Sequence, residues 1–257
     1  MTRRERAYNR KVQELIDRVG KLNDREVKKV LAMLENARKD IAAAVATTEW
    51  KVYFIPQLKE AISRAIDGFK QQYMAGQADA LSNTWNAGID MIDSPLQYAG
   101  IALSAPEISR TALEIMQGYS ADLIDGLSAD ALKKINSEIT LGIMGEKPLF
   151  DVIKAIGANM KDKSVITGIA HRAEVIARTE MGRVNSYSRQ ARMEALKGHT
   201  DPPLNMWKKW ISSGKAHARE THSVLNGLSV RTDDDFPGGI PYPHAPGLSA
   251  ADVVNCG

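Results

Sequence analysis

The chain has 257 residues, 44% hydrophobic, 25% charged and only 6% aromatic, with ten methionines. That length accommodates one large domain or two ordinary ones, and the scarcity of aromatic residues favours helices over a β-rich fold. The net charge of +3 is too small by itself to imply a nucleic-acid partner, so the distribution of charge is the better guide.

The start, M-T-R-R-E-R-A-Y-N-R, is basic but lacks the apolar stretch of a secretion signal. Val12, Leu15, Ile16, Val19 and Leu22 then recur at spacings of three and four, one stripe of a helix. Asn23 or Asp24 can cap a second helix, with its stripe at Val27, Val30, Leu31 and Leu34. Residues 1–40 carry twelve Lys or Arg against seven Asp or Glu, about +5 in all. Such an arm is either a solvated helical face or an interaction arm for DNA or another acidic partner.

Pro56 opens the next helical region, striped by Leu58, Ile62, Ile66, Phe69 and Tyr73. Ser94-Pro95 and Ala105-Pro106 should break the pattern, each proline entering the first turn of the following helix. Ser128 begins another predicted helix, Gly145–Pro148 ends it, and a short segment, Leu149 to Ile156, follows. The stretch from Ser164 to Leu196 reads as the longest helix, stopped by Gly198.

Beyond it the texture changes. Asp201–Pro203 predicts a turn, M-W-K-K-W-I a strand, Ala216–Leu225 a short helix ended by Asn226-Gly227, and L-S-V-R-T a second strand. The Gly- and Pro-rich tail predicts irregular structure. The expected fold is mainly α: a helical N-terminal region (1–160) joined by a long helix to a small α+β C-terminal domain (161–257), with the boundary near Lys161–Ser164. No apolar run reaches the ~20 residues of a membrane-spanning helix, so a soluble intracellular protein is expected.

Chemistry can be tested motif by motif. A zincin helix needs histidines four apart on one face, whereas His217 and His222 are five apart, which turns them about 140° from each other. The inverted motif would need histidine where Thr221 stands. Cys256 is the one cysteine, which excludes an intrachain disulfide and a multi-cysteine zinc module. A metal could be gathered only from distant residues such as His222, His244 and Cys256, and none is expected. There is no G-x-S-x-G elbow, P-loop or G-x-G-x-x-G, so neither a catalytic residue nor a cofactor is expected. From Arg172 to Arg219 ten basic residues stand against four acidic ones. Arg183, Arg189, Arg192, Lys208 and Lys209 are therefore candidates for contact with DNA or an acidic partner, the lysines beside tryptophans that could stack on bases. Alternation along a strand gives the opposing expectation: one of Trp207 and Trp210 lies in the core, and the lysines protect an edge.

Arg178-Thr179-Glu180, Trp210, Arg219, His222 and Gly227 suit a polar network between a long helix and a small sheet. Glu180 is expected to pair with Arg219 or His222, the alternative being a surface pair along the helix. These residues also carry a resemblance. I-A-R-T-E-M-G-R-V-N-S-Y-S-R-Q-A, W-K-K-W, R-E-T-H-S-V-L-N-G, D-D-D-F, P-Y-P and a closing N-C, in that order, resemble the C-terminal domain of the phage head morphogenesis family, the minor head proteins similar to protein F of phage Mu. The likeness runs from about Ile166 to Cys256; the first ~160 residues carry none.

The resemblance implies a non-enzymatic minor head protein of a tailed phage or prophage. It implies association with the portal, and with the major capsid or scaffolding protein, during head assembly, oligomeric within that assembly. Some members stay with packaged double-stranded DNA. It makes Arg178, Thr179, Glu180, Trp210, Arg219, His222, Gly227, Asn255 and Cys256 the signature positions and the virion the destination. Two departures are visible. The family often ends N-C-R-C where Gly257 follows Asn255-Cys256 here, and often has an acidic residue where Ser213-Gly214-Lys215-Ala216 stand. Some members add a toxin domain after the signature; none is expected here. Rival readings are a nucleic-acid-binding module without a capsid role and a metal-dependent hydrolase.

Overall fold

The computed structural model describes residues 2–157, 165–211 and 223–249. In chain order these form α1 (Arg3–Thr47), a 3-10 turn (Val52–Phe54), α2 (Ile55–Tyr98), β1 (Ala102–Leu103), α3 (Thr111–Ile143), α4 (Leu149–Ile156), α5 (Val165–Ala195), β2 (Thr200–Asp201), β3 (Trp207–Lys209) and β4 (Ser229–Arg231). The fold is mainly α with a small α+β region towards the C-terminus, as the helical stripes and the short alternating segments predict. The boundary expected at 161–164, and residues 216–222 of the short helix expected there, lie outside the described residues.

Several helices run through expected breaks. Asn23-Asp24 caps nothing, because the stripe of Leu15 and Leu22 passes without interruption into Val27, Val30 and Leu34, and α1 continues for 45 residues. Ser128 likewise lies inside α3, whose buried stripe Ile124, Leu127, Ala131, Ile135 and Ile139 is continuous. Pro95 falls in the last turn of α2, where it removes one backbone donor without stopping the helix. Pro106 precedes α3 by five residues, and the amide of Thr111 donates instead to Ser109 Oγ at 3.3 Å. At 31 residues α5 is shorter than α1, α2 (44 residues) and α3 (33 residues). The longest apolar stripe, not the fewest visible breakers, sets helix length here.

The chain divides into two compact units, each gathered from separated stretches. The first comprises Met1–Arg25, Asp79–Met116 and Arg178–Gly257; the second comprises Glu26–Ala78 and Gln117–Ala177. The second unit has one continuous core. Leu34 and Ile41 of α1, Leu58, Ile62 and Phe69 of α2, the α3 stripe, Val152 and Ile156 of α4, and Ile166 and Ala173 of α5 all share it. Gly142 lets α4 approach α3, since a Cβ there would lie 2.9 Å from Val152 Cγ2.

The first unit has a divided core. Leu81, Trp85, Leu113, Met181 and Val184 form one cluster; Trp210, Leu225 and Phe236 form another beside the hairpin. Trp85 stacks on Tyr187 with ring centroids 5.7 Å apart, and Tyr187 meets Tyr242 edge-on at 6.5 Å. Strands β1 and β2 pair antiparallel, as do β3 and β4, with Trp207 opposite Arg231 and Lys209 opposite Ser229.

Candidate functional site

Of the residues singled out in the sequence, those the structure describes lie on α5 and at the β3–β4 hairpin, in the first unit. Around them lies an unusual density of buried polar side chains: Thr179, Glu180, Asn185, Ser186, Ser188, Gln190 and Arg192 on α5, with Thr84 on α2. Helix–helix approach accounts for part of it. Gly88 on α2 leaves no room for a Cβ against Ser188 and the carbonyl of Asn185, so the two backbones come close and small or short polar residues fill the seam. The Asn185 amide donates to the Thr84 carbonyl at 3.5 Å, and Gln190 donates to Glu194 at 2.8 Å and to the Thr232 carbonyl at 3.2 Å.

Glu180 is the most enclosed carboxylate of the seam, 1% exposed. Its partner is Arg183, one turn along the same helix, at 2.8 Å. Arg219 and His222, the partners expected across the fold, lie outside the described residues. Burial pushes the Glu180 carboxyl above the usual range, and Arg183 opposes that shift. Its neighbour Thr179 is buried with its hydroxyl unpaired. Arg178 instead reaches Asp24 on α1 at 3.1 Å, within the same unit.

The candidate DNA contacts are mostly committed inside the unit. Arg192 donates from Nε to Asp93 at 2.7 Å and from Nη1 to the Pro106 carbonyl at 2.9 Å. Arg189 bonds Ser186 at 3.3 Å, and desolvation pulls its guanidinium down to about 10. Lys208 is buried, donates to the Pro241 carbonyl at 2.7 Å and lies over the Phe236 ring at 5.7 Å. Desolvation lowers the Lys208 pKa, and Asp235 and Glu194 work against it. Arg183, Arg189, Arg192 and Lys208 therefore do not present free charges to phosphate, because each cation is turned to an internal acceptor. Lys209, on the opposite face of β3, is exposed.

Strand alternation separates the tryptophans as expected for a core/surface pair. Trp210 is buried and meets Phe236 edge-on at 5.2 Å, whereas Trp207 is 60% exposed. Gly227 has a left-handed backbone (φ 86°), which a side chain would strain, and its amide donates to the Trp210 carbonyl at 2.9 Å. The turn thus locks the tryptophan into the hairpin. A second glycine, Gly182 on α5, faces His244, whose Nε2 would lie 2.7 Å from an added Cβ.

Asn185, Ser188, Gln190 and their glycine partner Gly88 were not singled out by sequence reasoning. The run V-N-S-Y-S-R-Q-A was visible, but only its arginines had an obvious chemistry. Five small or polar residues inside a helix are the signal, since such residues gain nothing there unless packed or paired. Arg219, His222, Asn255 and Cys256 lie outside the described residues, and with them two members of the distant metal set; His244 is buried. Among the described residues no three of His, Cys, Asp and Glu gather to hold a metal. The open surface hollow of about 630 Å³ lined by Asp122, Leu127, Asp130, Lys133 and Arg172 belongs to the second unit, away from these residues in sequence and in unit. What the seam can do chemically is hold helices and hairpin in register.

No protein-family model matches the chain, and no solved structure matches it. A stretch of 61 residues is 39% identical to the Enterococcus faecalis protein named NAD(+)--arginine ADP-ribosyltransferase EFV. That stretch is 24% of this chain and 12% of the enterococcal protein.

Proposed function

We propose that the chain is a non-enzymatic minor head protein of a tailed phage or prophage, a part that helps build the head beside the portal, the inner capsid or the scaffold. The observation that supports this reading is the use made of the residues that carry the family resemblance. Arg178 ties α5 to α1, Glu180 is closed off with Arg183, Trp210 fills the hairpin core and Gly227 shapes its turn. Each is spent on holding the unit together. The ADP-ribosyl transfer named for the enterococcal protein is not carried over, because the shared stretch is a small part of that protein.

The test is assembly. Heads are produced from the portal, major capsid and scaffolding proteins encoded with this chain, in its presence and absence. The chain is expected to sediment with portal-containing heads at a few copies each, and its omission to lower the yield of infectious particles. A chain that stays soluble and separate from both portal and heads would contradict the proposal.

A further inference from the structure

The N-terminal arm of α1 lies outside the seam described above. Residues 2–11 hold Arg3, Arg4, Arg6, Arg10 and Lys11 against Glu5, a charge of +4 in a chain whose total is +3, so the other residues together sum to −1. The basic character of the protein is concentrated in two helical turns.

Three features of the arm point away from a merely solvated face. Every residue from Thr2 to Arg10 except Ala7 is exposed, and the first buried position of α1 is Leu15, so the arm is open around most of its circumference. It is already ordered: Thr2 and Glu5 form a reciprocal cap, the Thr2 amide on Glu5 Oε2 at 2.6 Å and the Glu5 amide on Thr2 Oγ1 at 3.2 Å. Finally, arginines at the positive pole of a helix oppose its dipole, and among the described residues no acidic side chain pairs with Arg3, Arg4 or Arg10. The sequence holds cations where the helix itself is weakened by them.

We infer that this arm is a docking surface for duplex DNA, bound through its phosphates. Arg3, Arg6 and Arg10 recur at helical spacing on the side away from Leu15, spanning about 10 Å. A helix of about 10–12 Å diameter fits a major groove about 12 Å wide, and phosphates line both of its walls. Tyr8 is the arm's one aromatic residue, 36% exposed. A single ring is no platform for successive unpaired bases, which favours the duplex and a sequence-independent contact. The inference rests on charge, exposure and spacing, and does not require the head-protein reading.

The experiment is an anisotropy titration of the full chain against a mixed-sequence DNA duplex as KCl rises from about 50 to about 200 mM. Three phosphate contacts from the stripe correspond to about −2.7 in the slope of log affinity against log salt, or about a 40-fold loss over that range. Replacing Arg3, Arg6 and Arg10 together by Gln is expected to remove that much of the slope, with the helical circular dichroism unchanged. The triple Lys replacement keeps the charge and is expected to keep the slope, which covers the case of a misfolded Gln variant. Lys209→Gln is expected to change neither. No duplex binding by the wild-type chain, or equal binding by the Gln variant, would overturn the inference. So would tighter binding of duplex RNA, of polyglutamate or of phosphatidylserine vesicles than of duplex DNA.

Discussion

The two units differ in how much charge they bury, although exposed pairs such as Lys197–Asp233 also occur in the first. In the second unit a continuous apolar core is wrapped by exposed ion pairs, and pairing drives the pKa shifts: Arg172 and Lys134 hold Asp130 below the usual carboxylate range, and Asp125 holds Lys70 above the usual lysine range. In the first unit the apolar core is split, and burial drives the shifts, against the charged form, in Glu180, Arg189 and Lys208. A chain tolerates such a costly polar interior where a defined arrangement matters more than maximal stability, and Arg178, Glu180, Trp210 and Gly227 lie in that unit.

The sharpest way to break the contrast is to empty each core. Trp85→Ala in the first unit should destabilise by about 3–5 kcal/mol and Ile62→Ala in the second by about 2–5 kcal/mol. Denaturant titration should show the tryptophan variant losing the hairpin as well, because Trp85 stacks on Tyr187, which in turn meets Tyr242. Next in size is the Arg192–Asp93 pair, both side chains largely buried. Arg192→Ala should cost about 3 kcal/mol, whereas Arg172→Ala, which breaks an exposed pair of the second unit, should cost less than about 1 kcal/mol.

Glycine replacement should change sign with the room around each glycine, which is not a property of the unit, since Gly142 of the second unit is crowded by Val152 and Gly20 of the first stands in open space. Gly88→Ala pushes against Ser188 and Asn185 and should cost about 1–3 kcal/mol. Gly118→Ala, in open space on α3, should stabilise by about 0.5–1 kcal/mol. Thermal melts of the two variants are a direct check.

The smallest effect is in pH. Glu180 has a raised folded-state pKa, so its contribution is present in acid and lost as pH rises through that pKa. Asp130 has a lowered one, so its contribution is present above the ordinary carboxylate value and lost as pH falls through the depressed pKa. Stability of Glu180→Gln relative to wild type should therefore improve as pH rises from ~4 to ~7, and that of Asp130→Asn should worsen as pH rises from ~2 to ~4. Urea midpoints followed across the two windows would show slopes of opposite sign; slopes of the same sign would remove the distinction between the two carboxylates.

Much of this was legible in sequence, for identifiable reasons. Apolar spacings of three and four revealed the helices, and alternation in M-W-K-K-W-I revealed β3 and the division between Trp207 and Trp210. Helix ends were misread at Asn23, Ser94-Pro95 and Ser128, because capping residues are tolerated within a helix once tertiary packing supplies a continuous stripe. Sequence reasoning looked for the partner of Glu180 across the fold and did not name Arg183, which stands three residues away on the same helix. Lys208 was read as a surface cation, since nothing in its own neighbourhood announces that Pro241, far along the chain, supplies a carbonyl for it. The seam around Gly88 depends on two helices meeting, and no local pattern encodes a meeting.

The central claim is that the signature residues act by bracing the unit and not by direct contact or chemistry. It is tested most directly by measuring, for Arg178→Ala, Glu180→Gln, Trp210→Ala and Gly227→Ala, both the melting temperature and incorporation into assembled heads. The account predicts that incorporation falls in step with melting temperature across the series. A variant that melts like wild type yet fails to enter heads would contradict it.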